Sequence, residues 1–317
     1  MDQRHYLCKY DFDMNNSMQK ILNSKAINGW GLFWLVSIPI SAAVVVEMLA
    51  TDMSGGAGVS HMIGYAVRWA VPFIFLTVAA SSVHTLFPGP FTTWWRRNRK
   101  HLGLCFAVAM AWQGLFIFIV STTYRDYYFA EIYYFRDELE GTVGYLFLAA
   151  MVFTSFKFGR QLISPSQWKL IHKCGLYFLW AYPFSVYWWN LFYYPMLDPF
   201  TEPRGLDYVL YFCGFAAFAL RIAAWGKQRA IAARKLAGFE NAPAWRKYLG
   251  AGIIALGLLA AVTGHLWQTA ASAFLMGWAP SAEAELWLPF WPFVPFLPLF
   301  ILGLGTMLVT HHFKRNT

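Results

Sequence analysis

A helix needs about 20 apolar residues to cross the hydrocarbon core of a bilayer. Stretches of that kind recur along the chain at roughly 29 to 50, 62 to 86, 102 to 121, 142 to 162, 169 to 193, 206 to 225, 247 to 277 and 294 to 312. The pattern predicts an all-α, polytopic transmembrane bundle of about eight spans. The polar links test that prediction, because Lys and Arg collect on the cytoplasmic side of a membrane protein. The tail carries Arg4, Lys9, Lys20 and Lys25, the second link Arg96, Arg97, Arg99 and Lys100, and the fourth Lys157, Arg160, Lys169 and Lys173. Basic residues also fill the sixth link from Lys227 to Lys247, and Lys314 and Arg315 end the chain. The alternate links hold only Arg125, Arg136 and Arg204. This alternation predicts that both termini are cytoplasmic. It organises the chain as a tail (1–28), six spans (29–225), a basic link (226–246) and two further spans (247–317).

Composition agrees with a lipid bilayer as the main partner. Apolar residues make up 58% of the chain, aromatic residues 20% and charged residues 13%, where a soluble domain has about a quarter charged. The net charge of +9 follows from the topological bias and does not call for nucleic acid. Residues 1–27 lack the short apolar region and small-residue cleavage site of a secretory signal. Cys8, Cys105, Cys174 and Cys213 have no metal-ligand spacing.

The outward links are acidic and aromatic. Thr122–Gly141 contains two tyrosine-rich clusters, which suit a short helix at the outer interface or a platform for a partner protein. The sixth link reads as a basic, alanine-rich helix that extends the sixth span or rests on anionic headgroups. In Leu288–Pro298 proline recurs at every third position, a period that fits polyproline II at the outer interface. The eighth span is expected to start near its end.

Ionisable residues inside spans are costly in lipid and therefore informative. Glu47 and Arg68, near the outer ends of the first two spans, are expected to form a structural ion pair. Arg221 sits where it can snorkel to the headgroups, and His265 lies in the middle of the seventh span. His84, His101 and His172 all fall at the cytoplasmic ends of spans, at one membrane depth. Imidazoles so placed either hold a haem iron or a metal, or rest at the boundary as amphipathic side chains.

One set of residues resembles a known family. Arg99-Lys100-His101-Leu102-Gly103-Leu104 resembles the entry to the third helix of the ferric reductase-like transmembrane domain family. Thr154-Ser155 followed by Trp168-Lys-Leu-Ile-His172-Lys-Cys-Gly-Leu-Tyr177 resembles the start of that family's fifth helix. The similarity covers about residues 60 to 225, and the closest-looking branch is the haem-binding membrane subunit of the periplasmic methionine sulfoxide reductase system. It implies a six-helix core that carries electrons through b-type haem, in a bacterial inner membrane, with a quinol or flavoprotein donor and a membrane or periplasmic protein partner. His172 is the implied ligand, with His101 or His84 as the second.

The chain departs from the family pattern at two positions. Where a second histidine is expected on the fifth helix stands Ser185, and on the third stands Gln113. Neither is a usual haem ligand. The expectation is therefore at most one inner-side haem b. No flavin or nicotinamide fingerprint accompanies the spans, so any oxidoreductase activity depends on a partner. Two functions follow from these residues: a membrane electron-transfer subunit with His172 as ligand, or a cofactor-free structural or assembly subunit of a larger membrane complex.

Overall fold

The computed structural model describes residues 19–197, 202–235, 239–240, 243–278, 293–310 and 313–314. Regular structure there is helical, apart from a two-residue antiparallel bridge pairing Phe239 with Lys314 and Glu240 with Phe313. The main helices are α1 (Trp30–Ala50), α2 (Gly56–Leu86), α3 (Pro90–Thr123), α4 (Phe135–Phe153) and α5 (Pro165–Phe192). They continue with α6 (Gly205–Arg234), α7 (Ala244–Val262), α8 (Gly264–Trp278) and α9 (Leu297–Val309). By length and composition five of them, α1, α2, α3, α6 and α7, can cross a membrane, and Val294–Val309 is a shorter apolar helix. The chain is thus an integral membrane protein.

Helix ends differ from the apolar runs because backbone hydrogen bonding continues into polar flanks. The 30 residues of α6 span about 45 Å, against about 30 Å of hydrocarbon. The seventh run is not one helix. The 19 residues of α7 already reach about 28 Å, and the chain then breaks at Thr263. A Cβ on Gly264 would lie 2.6 Å from the ring of Phe192, so only glycine lets α8 start this close to α5. The fourth run is also shorter than expected: α4 stops at Phe153, and Lys157–Arg160 forms a separate single turn.

Part of the proline run, 288–292, lies outside the described residues. The rest is not polyproline II. Val294–Phe296 is a 3-10 turn and Pro298 sits in the first turn of α9, positions where a missing N–H costs nothing.

Contacts divide the chain into two compact units, Met1–Glu131 and Ile132–Thr317. Within the second unit α9 packs against both α6 and α7. In the first unit α2 packs along α3, and α1 lies on both. Its core combines small residues such as Ala66, Ala70 and Ala109 with Met62, Ile74 and Phe116, all at most 2% exposed. In the second unit α5 contacts α4 and α6. Its core is a set of rings: Trp180 stacks on Phe184 and Phe218 at 4.9 and 4.3 Å, and Phe184 stacks on Tyr211 at 5.5 Å.

Candidate functional site

The His172 segment is built by the turn between α4 and α5. Ser164 and Gln167 start α5 with a reciprocal capping box, Gln167 N donating to Ser164 Oγ at 3.2 Å and Ser164 N to Gln167 Oε1 at 2.8 Å. That fixed start places Trp168 and His172 one helical turn apart on one face. The Trp168 ring lies 4.3 Å from the His172 ring, and its Nε1 donates to the Thr154 carbonyl at 3.2 Å. The Arg160 guanidinium covers Trp168 at 4.3 Å. Arginine, tryptophan and imidazole thus form one stack over the end of α4.

Thr154 defines the state of the imidazole. Its hydroxyl lies 2.7 Å from the Ala150 carbonyl and 3.0 Å from His172 Nε2. A hydroxyl has one proton, and the shorter contact, to an acceptor-only carbonyl, takes it. Toward His172 the oxygen therefore accepts, so Nε2 carries the imidazole proton and has no lone pair to offer. As arranged, His172 fits a tie between α4 and α5 and does not fit an axial haem ligand through this nitrogen.

The position of the missing second histidine is closed in a similar way. Ser185 is 1% exposed, and its hydroxyl donates to the Ala181 carbonyl of its own helix at 3.0 Å. On the same helix, Phe184 and Trp188 are fully buried among rings. Gln113 belongs to α3 of the first unit and is partly buried.

His84 and His101 also stand in the first unit, and they serve different places. His84 closes the turn into α3, with Nδ1 3.4 Å from Thr92 Oγ1. His101 lies nine residues after Thr92, about 13 Å further along α3. It meets Trp30 edge to face at 5.5 Å and faces Gly29, whose φ of +60° only glycine adopts easily. A polar clamp holds this entry to α1. Buried Asn98 accepts from Gly29 N at 2.8 Å and donates to Asn28 Oδ1 at 2.9 Å and the Trp94 carbonyl at 3.0 Å. Arg97 adds bonds to the Leu22 carbonyl and Asn28 Oδ1, and Trp94 one to the Ile27 carbonyl. His84 and His101 do not converge on one point. Nothing in the apolar pattern pointed to Asn98.

The expected ion pair is corrected. Glu47 meets His61 at 3.0 Å, not Arg68. The reason is where α2 begins: the apolar run starts at 62, but the helix starts at Gly56. His61 is therefore helical and level with Glu47, while Arg68 lies about 10 Å deeper. Arg221 meets the Tyr177 hydroxyl at 2.9 Å, and His265 is exposed.

Sequence reasoning missed Glu140, a carboxylate only 4% exposed in the second turn of α4. It shares its electrostatic surroundings with Arg136, Asp137, Tyr182 and Tyr194. Arg136 is held between Tyr134 at 5.3 Å and Trp189 at 6.0 Å. The spacing of Arg136 and Glu140 is a helical one, a signal readable once α4 is started at Phe135 instead of 142. Among the described residues no group of three or more His, Cys, Asp or Glu is placed to hold a metal. No family model, curated protein or solved structure matches this chain.

Proposed function

We propose that this chain is a cofactor-free structural or assembly subunit of a membrane complex. The observation that carries the reading is the Thr154–His172 pair: the Thr154 hydroxyl, 2.7 Å from the Ala150 carbonyl, lies 3.0 Å from His172 Nε2, a contact that occupies this imidazole nitrogen within the protein. The surroundings support it. Arg160 and Trp168 cover the pair, Ser185 is buried and bonded within its helix, and the space between α5 and α6 is filled by stacked rings. Such a unit suits a rigid scaffold better than a haem crevice. Exposed Tyr133, Tyr134, Tyr193, Tyr194 and Tyr208 give its outward end amphipathic rings for a protein partner or the lipid boundary. The competing reading, b-type haem electron transfer in a ferric reductase-like bundle, requires His172 to leave Thr154.

The test is optical. The purified full-length chain is expected to contain no iron and to show no Soret band or reduced-minus-oxidised α band. A haem spectrum that His172→Ala abolishes would overturn the structural reading and restore the electron-transfer one.

A further inference from the structure

Where α4 lies on α5, the side chains keep one antiparallel register. Thr154 meets His172, and a Cβ on Gly175 would lie 3.2 Å from Phe147. One on Gly144 would lie 3.6 Å from Phe178, and the Arg136 guanidinium is 6.0 Å from the Trp189 ring. Glu140 stands one turn from Gly144 and one turn from Arg136 on α4, and Tyr182 stands one turn from Phe178 on α5. The buried carboxyl and the phenol are therefore opposite each other. Toward His172 the contact is closed by Phe147 against Phe178, 5.6 Å between ring centroids. Toward the other end exposure rises, from 4% at Glu140 to 19% and 52% for the side chains of Arg136 and Asp137. Water and protons reach Glu140 from the Arg136 end.

Arg136 stands between two carboxylates. Its Nε is 3.5 Å from Asp137 Oδ1, and Glu140 follows at the four-residue helical spacing that brings side chains together. One guanidinium balances one carboxylate, so the second is in excess. Burial favours a protonated carboxyl, and a guanidinium favours the ionised form. The charged groups around the site are Arg136 and Asp137 of the same helix. The packed helix α5 adds the Tyr182 phenol and the turn after it the Tyr194 phenol. Exchange of one proton on Glu140 thus changes the balance at Arg136.

We propose that Glu140 is a proton-binding site, open to water at the end of the second unit remote from His172, and that its protonation decides which carboxylate holds Arg136. With Glu140 ionised, the guanidinium is drawn inward between the two carboxylates. With Glu140 protonated, it is released to exposed Asp137, and its place over Trp189 of α5 loosens. Acid therefore weakens a tie between α4 and α5, beside the exposed rings of Tyr134 and Tyr194. The proton site needs neither cofactor nor partner, so it stands or falls apart from the scaffold reading.

Infrared difference spectra of the full-length protein between about pH 4 and pH 9 test this. They are expected to contain a protonated-carboxyl C=O band that Glu140→Gln removes and whose amplitude gives a midpoint. Arg136→Gln is expected to raise that midpoint by at least about 1 pH unit, and Asp137→Asn to lower it by about 0.5. A general disturbance of the helix would not move the two in opposite directions. No Glu140-dependent band in this range, or midpoints that stay in place or move together, would overturn the proposal. Dicyclohexylcarbodiimide, which reacts with protonated carboxyls in apolar surroundings, gives a readout on the unmodified protein. Peptide mass spectrometry is expected to find Glu140 labelled several-fold more at about pH 5 than at about pH 9, and equal labelling or none refutes the site.

Discussion

The two units are held by different kinds of contact. In the first, the entry to α1 is fixed by directional bonds converging on one buried amide, Asn98, which joins Gly29, Asn28 and Trp94. In the second, α5 and α6 are joined by stacked rings, with few hydrogen bonds between them, such as Trp180 Nε1 to the Gly214 carbonyl at 3.0 Å. Directional bonds specify one partner atom each, and losing one strands another. Ring packing depends on volume and tolerates exchange between similar shapes. His172 belongs to the protein's own frame in the same way as Trp180: it is one of the places in the second unit where a directional bond, here to Thr154, is inserted among rings.

The sharpest way to break this comparison is a volume-conserving change on each side. Asn98→Leu keeps the bulk but strands Gly29 N and Asn28, and is expected to cost about 3 kcal/mol in thermal or denaturant unfolding. Gly250→Val should come next. It forces a side chain against Val309 and the Gly305 backbone, at about 2 kcal/mol, and the loss should appear as a lowered midpoint. Trp180→Phe keeps a ring in the stack and loses one hydrogen bond, so about 1.5 kcal/mol is expected. If it costs more than Asn98→Leu, the proposed difference between the units is wrong.

The smallest effect concerns pH. Burial, and then the carboxylate of Asp137, raise the Tyr194 phenol above its ordinary range. A raised folded pKa means that the folded chain holds this proton more tightly than the unfolded one. Its contribution is complete below about pH 10, the unfolded value, and is lost as the pH rises through the folded value. Tyr194→Phe should flatten the stability profile above that point, as read from unfolding midpoints across an alkaline series.

Much of the helical layout was legible because lipid imposes a length and an apolarity that residues report directly. Each apolar run contains helix. What the runs could not give were ends and breaks. α2 starts at Gly56, before its apolar run, and that six-residue difference moved Glu47's partner from Arg68 to His61. The break at Thr263 depends on Gly264 touching Phe192, a residue 72 positions earlier, which no local window contains. Glu140 and Asn98 were passed over for a related reason. Each is polar in sequence and buried in the fold, and burial of a polar side chain is decided by neighbours brought in from elsewhere. The histidines show the opposite limit: the sequence placed His84, His101 and His172 at span ends, but which atom each imidazole meets is a matter of side-chain geometry.

The central claim is that His172 is spent on Thr154. The most direct measurement is a double-mutant cycle on unfolding stability with Thr154→Val, His172→Phe and the pair. A coupling of about 1 kcal/mol is expected, since the two side chains share one part-buried hydrogen bond. Additive single effects, with coupling near zero, would mean that the imidazole is not committed to Thr154 and would contradict the account.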